Sequence, residues 1–293
     1  MLDSVLQVTV NGLINGSTYA LLGVAFGLII GVTGRFHVAF AMTYALAAFV
    51  AAWLGMFFGA PFWVALLVGA LAAALLGAAI DRFVYWPILL RAGANGLLMI
   101  FVASLGVSIV GRNAIALSML QNPAAVVNGF ANTGVSLGPV TISTLNIASV
   151  ATSWVLIVLV SIVLSRTGVG RMIRAVRANP EMAMCVGIDP GFVTFIVFAL
   201  GSFLGGVAGV FQAALTSATP DMGIAPLFYA LVVAFVAGLS SRPLVVAGIG
   251  IVLGVVESWT TLVLPTTWTA LVVFAILLIY AGLQPLRPGA ARA

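Results

Sequence analysis

Arginines at 171, 174 and 177 recur every three residues in RTGVGRMIRAVRANPEMAMCVGID, Arg166 to Asp189, which holds six of the seventeen charged side chains in a 293-residue chain. On a helix that spacing puts three guanidinium groups on one face. Directly after them Asn179, Pro180 and Glu181 have the types of an N-cap, a first helical position and an acid at the positive dipole end, and Gly187 stands where a helix ends in a left-handed residue. A short capped helix on a basic stem is suited to noncovalent docking of a soluble partner. Covalent chemistry lacks its parts: the chain has one His (His37), one Cys (Cys185) and no Lys. Convergent nucleophile, base or metal ligands do not follow from that inventory, and a lysine-dependent phosphate loop is excluded. The expectation is no enzyme, no metal and no cofactor, with ATP-driven work left to a partner.

The elements that carry this stretch are membrane spans. The chain is 63% hydrophobic and 6% charged, its mean hydropathy is +1.28, and apolar runs near the twenty residues needed for about 30 Å of hydrocarbon recur throughout. They fall at 8–33, 36–58, 61–80, 96–120, 147–165, 191–215, 225–240, 243–264 and 267–284. This predicts an all-α polytopic membrane protein of eight or nine transmembrane helices, one transmembrane domain over 1–293 with a charged loop at 166–190. The segment 225–264 reads either as two spans or as a broken, re-entrant pair, because GLSSRPLVVAG interrupts it with Gly238, Arg242 and Pro243. Threading the spans alternately puts every arginine except Arg112 on one side, the cytoplasm by the positive-inside rule, with the N-terminus outside and the C-terminus inside. The opening MLDSVLQVTVNG has no basic n-region or cleavage site and reads as an uncleaved first span.

Polar residues inside spans are the second set of candidates. Asn11, Asn15 and Thr18 form a stripe on the first span, and Ser104, Ser108 and Arg112 a second stripe on the fourth. Interhelical hydrogen bonding and lining of a solute path both account for such stripes, and Asn11, Asn15, Thr18, Ser104 and Ser108 are the path candidates. Arg112 and Glu257 sit about 24 and 21 Å up their helices at 1.5 Å per residue. They are the only opposite charges embedded in predicted spans, so pairing is expected. His37 is expected as an interfacial polar group. Glycines at 23, 27 and 31, at 201, 205 and 209, and at 250 and 254 with Ser258 predict close helix packing within the chain.

The charged stretch resembles the cytoplasmic loop of permease subunits of branched-chain amino acid ABC importers, where a Gly-Arg, Arg-Ala-Val and Asn-Pro-Glu series precedes Gly-Ile. Further motifs follow in family order: NGLINGSTYALLGVAFGLIIGV, DRFVYWPIL, LGVSIVGRN, ALGSFLGGVAGV, PDMG and GIVLGVVES. The resemblance implies that Arg171, Arg174, Arg177, Asn179, Pro180, Glu181 and Gly187 build a coupling helix seated in a cytoplasmic ATPase. It also implies a second permease subunit, a related chain as is usual in the family or a second copy of this one, together with a periplasmic solute-binding protein and an inner-membrane location. The sequence departs from the family at RFHVAFA, where the family's Asn falls on His37, its His on Phe40 and its Gly on Ala41. The implied function is translocation of a small amino acid, with an amide, urea or carboxylate as the alternative solute within the family. An ion-coupled carrier would need several midplane carboxylates, and Glu257 stands alone.

Overall fold

The computed structural model describes residues 2–118, 125–126, 134–137, 140–239, 242–265, 268, 272 and 274–276. Its helices are α1 (Leu2–Thr33), α2 (Phe40–Phe58), α3 (Phe62–Ile80), α4 (Trp86–Ala92), α5 (Gly96–Ser118), α6 (Thr144–Arg166), α7 (Gly168–Ala178), α8 (Pro180–Cys185), α9 (Pro190–Thr216), α10 (Ile224–Ala237) and α11 (Pro243–Thr260). A hairpin of β1 (Gly134–Leu137) and β2 (Val140–Ser143), with Gly134 opposite Ser143, precedes α6. Seven helical stretches among the described residues are long and apolar enough to cross a membrane, and the 14-residue α10 is a shorter apolar helix. The third of them outruns its predicted end at residue 80, because a π-helical turn at Asp81–Tyr85 carries α3 into α4 without a break. Most of the predicted ninth span, 267–284, lies outside the described residues, as do Arg287 and Arg292.

Lipid offers apolar helices no hydrophobic reward for meeting one another, so close van der Waals approach has to hold the bundle. The glycines supply it. A methyl on Gly12 would come within 2.9 Å of Val255 Cα, and one on Gly16 within 2.8 Å of Ile251 Cα, so α11 lies directly on α1. Gly201, Gly205 and Gly209 of α9 face Ile29, Phe40 and Tyr44 in turn, while Gly206 takes Ala70 and Ala73 of α3. All three glycine ladders therefore pack within the chain, with α9 at the centre and α1, α2 and α3 around it.

α11 runs antiparallel to α1, with Ser258 near Gly12 and Val246 near Gly23. α10 accompanies the second half of α1: Tyr229 stacks on Tyr19, and Ala234 and Leu239 meet Gly27 and Gly31. The region 225–264 thus makes two opposed passes along α1, joined by a turn on the end of the bundle where α7 and α8 lie. α5 and α6 stand at the periphery and turn Val102, Ile109, Val110, Val155, Leu159 and Ile162 outward.

Candidate functional site

The amphipathic helix α7 opens on Thr167, whose hydroxyl accepts from Gly170 N at 3.2 Å, and buries Ile173 and Val176 against the bundle. Its arginines divide. Arg171 is exposed, whereas Arg174 donates to the carbonyl of Leu164 at the end of α6, and Arg177 donates to that of Leu239 at 2.5 Å. Two of the three predicted docking arginines thus hold carbonyls of the chain's own helix ends, and burial lowers the pKa of Arg177.

α8 projects from that stem. Asn179 Oδ1 accepts from Glu181 N at 2.9 Å and Met182 N at 3.1 Å, and Pro180 fills the first helical position. The far end closes with Gly187 at φ +81°, where Gly187 N donates to Met184 O and Ile188 N to Ala183 O, a paired bonding that satisfies the last carbonyls. Ala183 is buried beneath it, while Met182, Met184 and Val186 are 66%, 56% and 74% exposed. Adaptable thioethers on a rigidly capped turn make an apolar contact surface. The arginine spacing drew attention to the stem; the methionines at the tip carry a weaker signal, two apolar residues flanking Ala183.

At the same end, a polar core ties three elements together. Arg35, after α1, forms an ion pair with Asp81 at the start of the π turn, and Thr194 of α9 donates to Asp81 Oδ2 at 3.1 Å. Beside it Tyr85 OH lies 2.8 Å from His37 Nδ1 and 2.9 Å from Ser104 Oγ, which also accepts from Ala39 N. Ser104 is therefore a fully buried structural acceptor. His37 is likewise fully buried, and burial pushes its pKa down to about 3, so the imidazole is neutral. Asp81 escaped notice because it falls one residue beyond the predicted third span; its signal was that Arg35 and Asp81 follow the first and third predicted spans and so emerge on one side of the membrane.

At the opposite end a cavity of about 390 Å³ opens between α1, α2, α9 and α10, lined by Thr18, Tyr19, Tyr44, Gln212, Thr219 and Tyr229 among others. Tyr19 and Tyr229 stack with ring centroids 4.4 Å apart, and Tyr229 OH donates to Glu257 Oε1 at 2.8 Å. Ser217, at φ 116°, turns the chain at its wall, a strained conformation for a residue other than glycine. Of the path candidates Thr18 lines this cavity. Asn11 and Asn15, on the same stripe nearer the start of α1, are exposed, with Asn11 Oδ1 accepting from Gln7 Nε2, and Ser108 is half-buried on α5.

The expected Arg112–Glu257 pair does not form. Arg112 Nε meets Asp221 Oδ1 at 2.6 Å, with both side chains about half exposed, and Glu257 takes the Tyr229 hydroxyl. Matching depths allowed the pair, but α5 is a peripheral helix and α11 lies against α1, so each charge found a nearer partner. Among the described residues no cluster of three or more His, Cys, Asp or Glu side chains could hold a metal ion.

From residue 8 to residue 281 the chain matches the family described as branched-chain amino acid transport system / permease component. It is 27% identical to the high-affinity branched-chain amino acid transport system permease protein BraD of Pseudomonas aeruginosa, over 96% of this chain and 94% of that one. It is 26% identical to the corresponding permease protein LivH of Escherichia coli, with the same coverage. In fold it is similar to a solved chain of PsaBC from Streptococcus pneumoniae in complex with Fab, at a TM-score of 0.50 and 16% identity, covering 92% of this chain and 89% of that one. With its spans, its capped loop helix and a match over nearly its full length, the chain belongs to the permease family of branched-chain amino acid transport systems.

Proposed function

We propose that this permease translocates a small branched-chain amino acid across an inner membrane, driven by ATPase subunits that seat on α8. The observation that carries this reading is the exposed Met182, Met184 and Val186 on a helix fixed at both ends by Asn179 and Gly187. Apolar side chains on a protruding, rigid turn outside the spans fit a groove in a soluble partner, and they cost solvation without one. Arg171, Arg174 and Arg177 then serve the stem, which passes force from the partner to α6 and the α10–α11 turn. The arginine distribution supports a cytoplasmic position for this end, with the tyrosine-lined cavity toward a delivering binding protein and the N-terminus outside. The ATP is bound by the partner subunits, and a second permease chain completes the pathway.

The departure at 35–41 leaves the amino acid assignment standing. His37 and Phe40 are fully buried, Ala41 is 6% exposed, and their neighbours are Tyr85, Gly205 and Gly223. Changes there alter internal packing and do not touch the solute cavity. The deciding experiment changes Met182 and Met184 to Glu in the full transporter. Co-purification of the ATPase subunits and uptake of leucine in vesicles should fall together while the chain still inserts, and undiminished association would remove α8 as the docking element.

A further inference from the structure

Arg174, Arg177 and Arg242 converge on a cleft of about 380 Å³ between α1, α6, α7 and the α10–α11 turn, whose remaining walls are mainly apolar, including Leu28 and Leu164. No acid lines it. One donor of Arg174 and one of Arg177 go to helix-end carbonyls, which leaves most of each five-donor guanidinium for another acceptor. Arg242 is exposed at the rim. Three positive charges around an apolar hollow need an anion. An apolar groove runs along α6 from Trp154 to Val163, and the cleft takes Ser161, Leu164 and Ser165 of the same helix.

We propose that this cleft holds the phosphate head group of an anionic phospholipid, with Arg174, Arg177 and Arg242 around the phosphate and an acyl chain along the α6 groove. Basic pockets between transmembrane helices at the inner membrane surface suit such head groups. The adjoining apolar groove favours a lipid over free phosphate, which has no use for it. The lipid would brace the joint between the α7 stem and the α10–α11 turn, both of which the cleft touches.

The test uses the full chain purified in mild detergent, with retained lipid counted by native mass spectrometry after exposure to phosphatidylglycerol or phosphatidylcholine of identical chains. Phosphatidylglycerol should be retained preferentially, and each arginine removed should weaken it about fivefold: once in Arg242→Gln, twice in Arg174→Gln/Arg242→Gln. Arg166→Gln, which removes an exposed charge outside the cleft, should leave retention unchanged. Equal retention of the two lipids, or equal loss in Arg166→Gln and Arg242→Gln, overturns the proposal. So does inorganic phosphate that displaces the lipid, which would identify a free-anion site. An Arg242→Gln chain that keeps its lipid but loses the ATPase subunits would assign the cleft to the protein partner instead.

Discussion

Gly254 on α11 and Gly16 on α1 lie backbone against backbone, so closely that a methyl group built on Gly254 overlaps the Cα and amide nitrogen of Gly16. Glycine in a helix ordinarily costs about 0.5–1 kcal/mol relative to alanine, so its presence here needs the contact as its reason. Gly254→Ala should therefore destabilise, by about 1–3 kcal/mol as overpacking does. Gly248→Ala, six residues earlier on α11 where an added methyl meets nothing within 4 Å, should stabilise slightly. Melting temperatures in one detergent compare the two. Shifts of the same sign would refute glycine contact as the basis of α1–α11 packing.

The Arg35–Asp81 pair is nearly sealed, at 6% and 2% side-chain exposure. Removing one partner of a buried pair strands the other and costs about 3–5 kcal/mol, whereas removing both leaves no orphan charge. Asp81→Asn alone should lower stability and membrane abundance more than Arg35→Gln/Asp81→Asn. Additive losses in this cycle would mean that the two side chains act independently.

His37 gives a pH dependence. Its pKa falls from an ordinary 6.5 to about 3 in the folded chain because the imidazole is buried. The unfolded chain therefore binds a proton that the folded chain does not between those values, and stability falls as pH drops from about 6.5 toward 3, by at most about 1.4 kcal/mol per unit. Above pH 7 the group is silent. His37→Asn should flatten the melting temperature between pH 6.5 and 4; an unchanged slope would show that carboxylates alone set it.

Spans, the two ends of α8 and the glycine ladders were legible because each follows from local rules: length of apolar run, cap chemistry, residue spacing. Partners across the bundle were not. Asn11 and Asn15 lie a turn apart on α1 and looked equivalent to Thr18, yet the approach of α11 and α10 left those two exposed and brought Thr18 to the cavity. Tyr19 and Tyr229 are 210 positions apart and became one stack only when α10 folded back along α1. Arg174 and Arg177 shared a face as expected, but the spacing could not reveal that this face meets the helix ends at Leu164 and Leu239.

The two acids that share out the expected Arg112–Glu257 pair predict opposite sensitivities. Arg112 and Asp221 are about half exposed, so their pair is worth about 0.2–1 kcal/mol and weakens as salt screens it. Arg112→Gln should change the melting temperature little, and less still at high ionic strength. Glu257 is 9% exposed, and its Oε1 takes the Tyr229 hydroxyl beside the cavity. Tyr229→Phe keeps the ring that stacks on Tyr19 but removes that donor, and an unmade bond to a buried group costs about 1–3 kcal/mol. The loss should be independent of salt and should shrink when Glu257→Gln is added, since the amide tolerates burial better than a carboxylate does. If the Tyr229–Glu257 contact also shapes the cavity that Tyr229 lines, leucine uptake should fall further than chain abundance in Tyr229→Phe. An Arg112→Gln chain that proves the less stable of the two would reverse the ranking and place the important charge on the rim of the bundle.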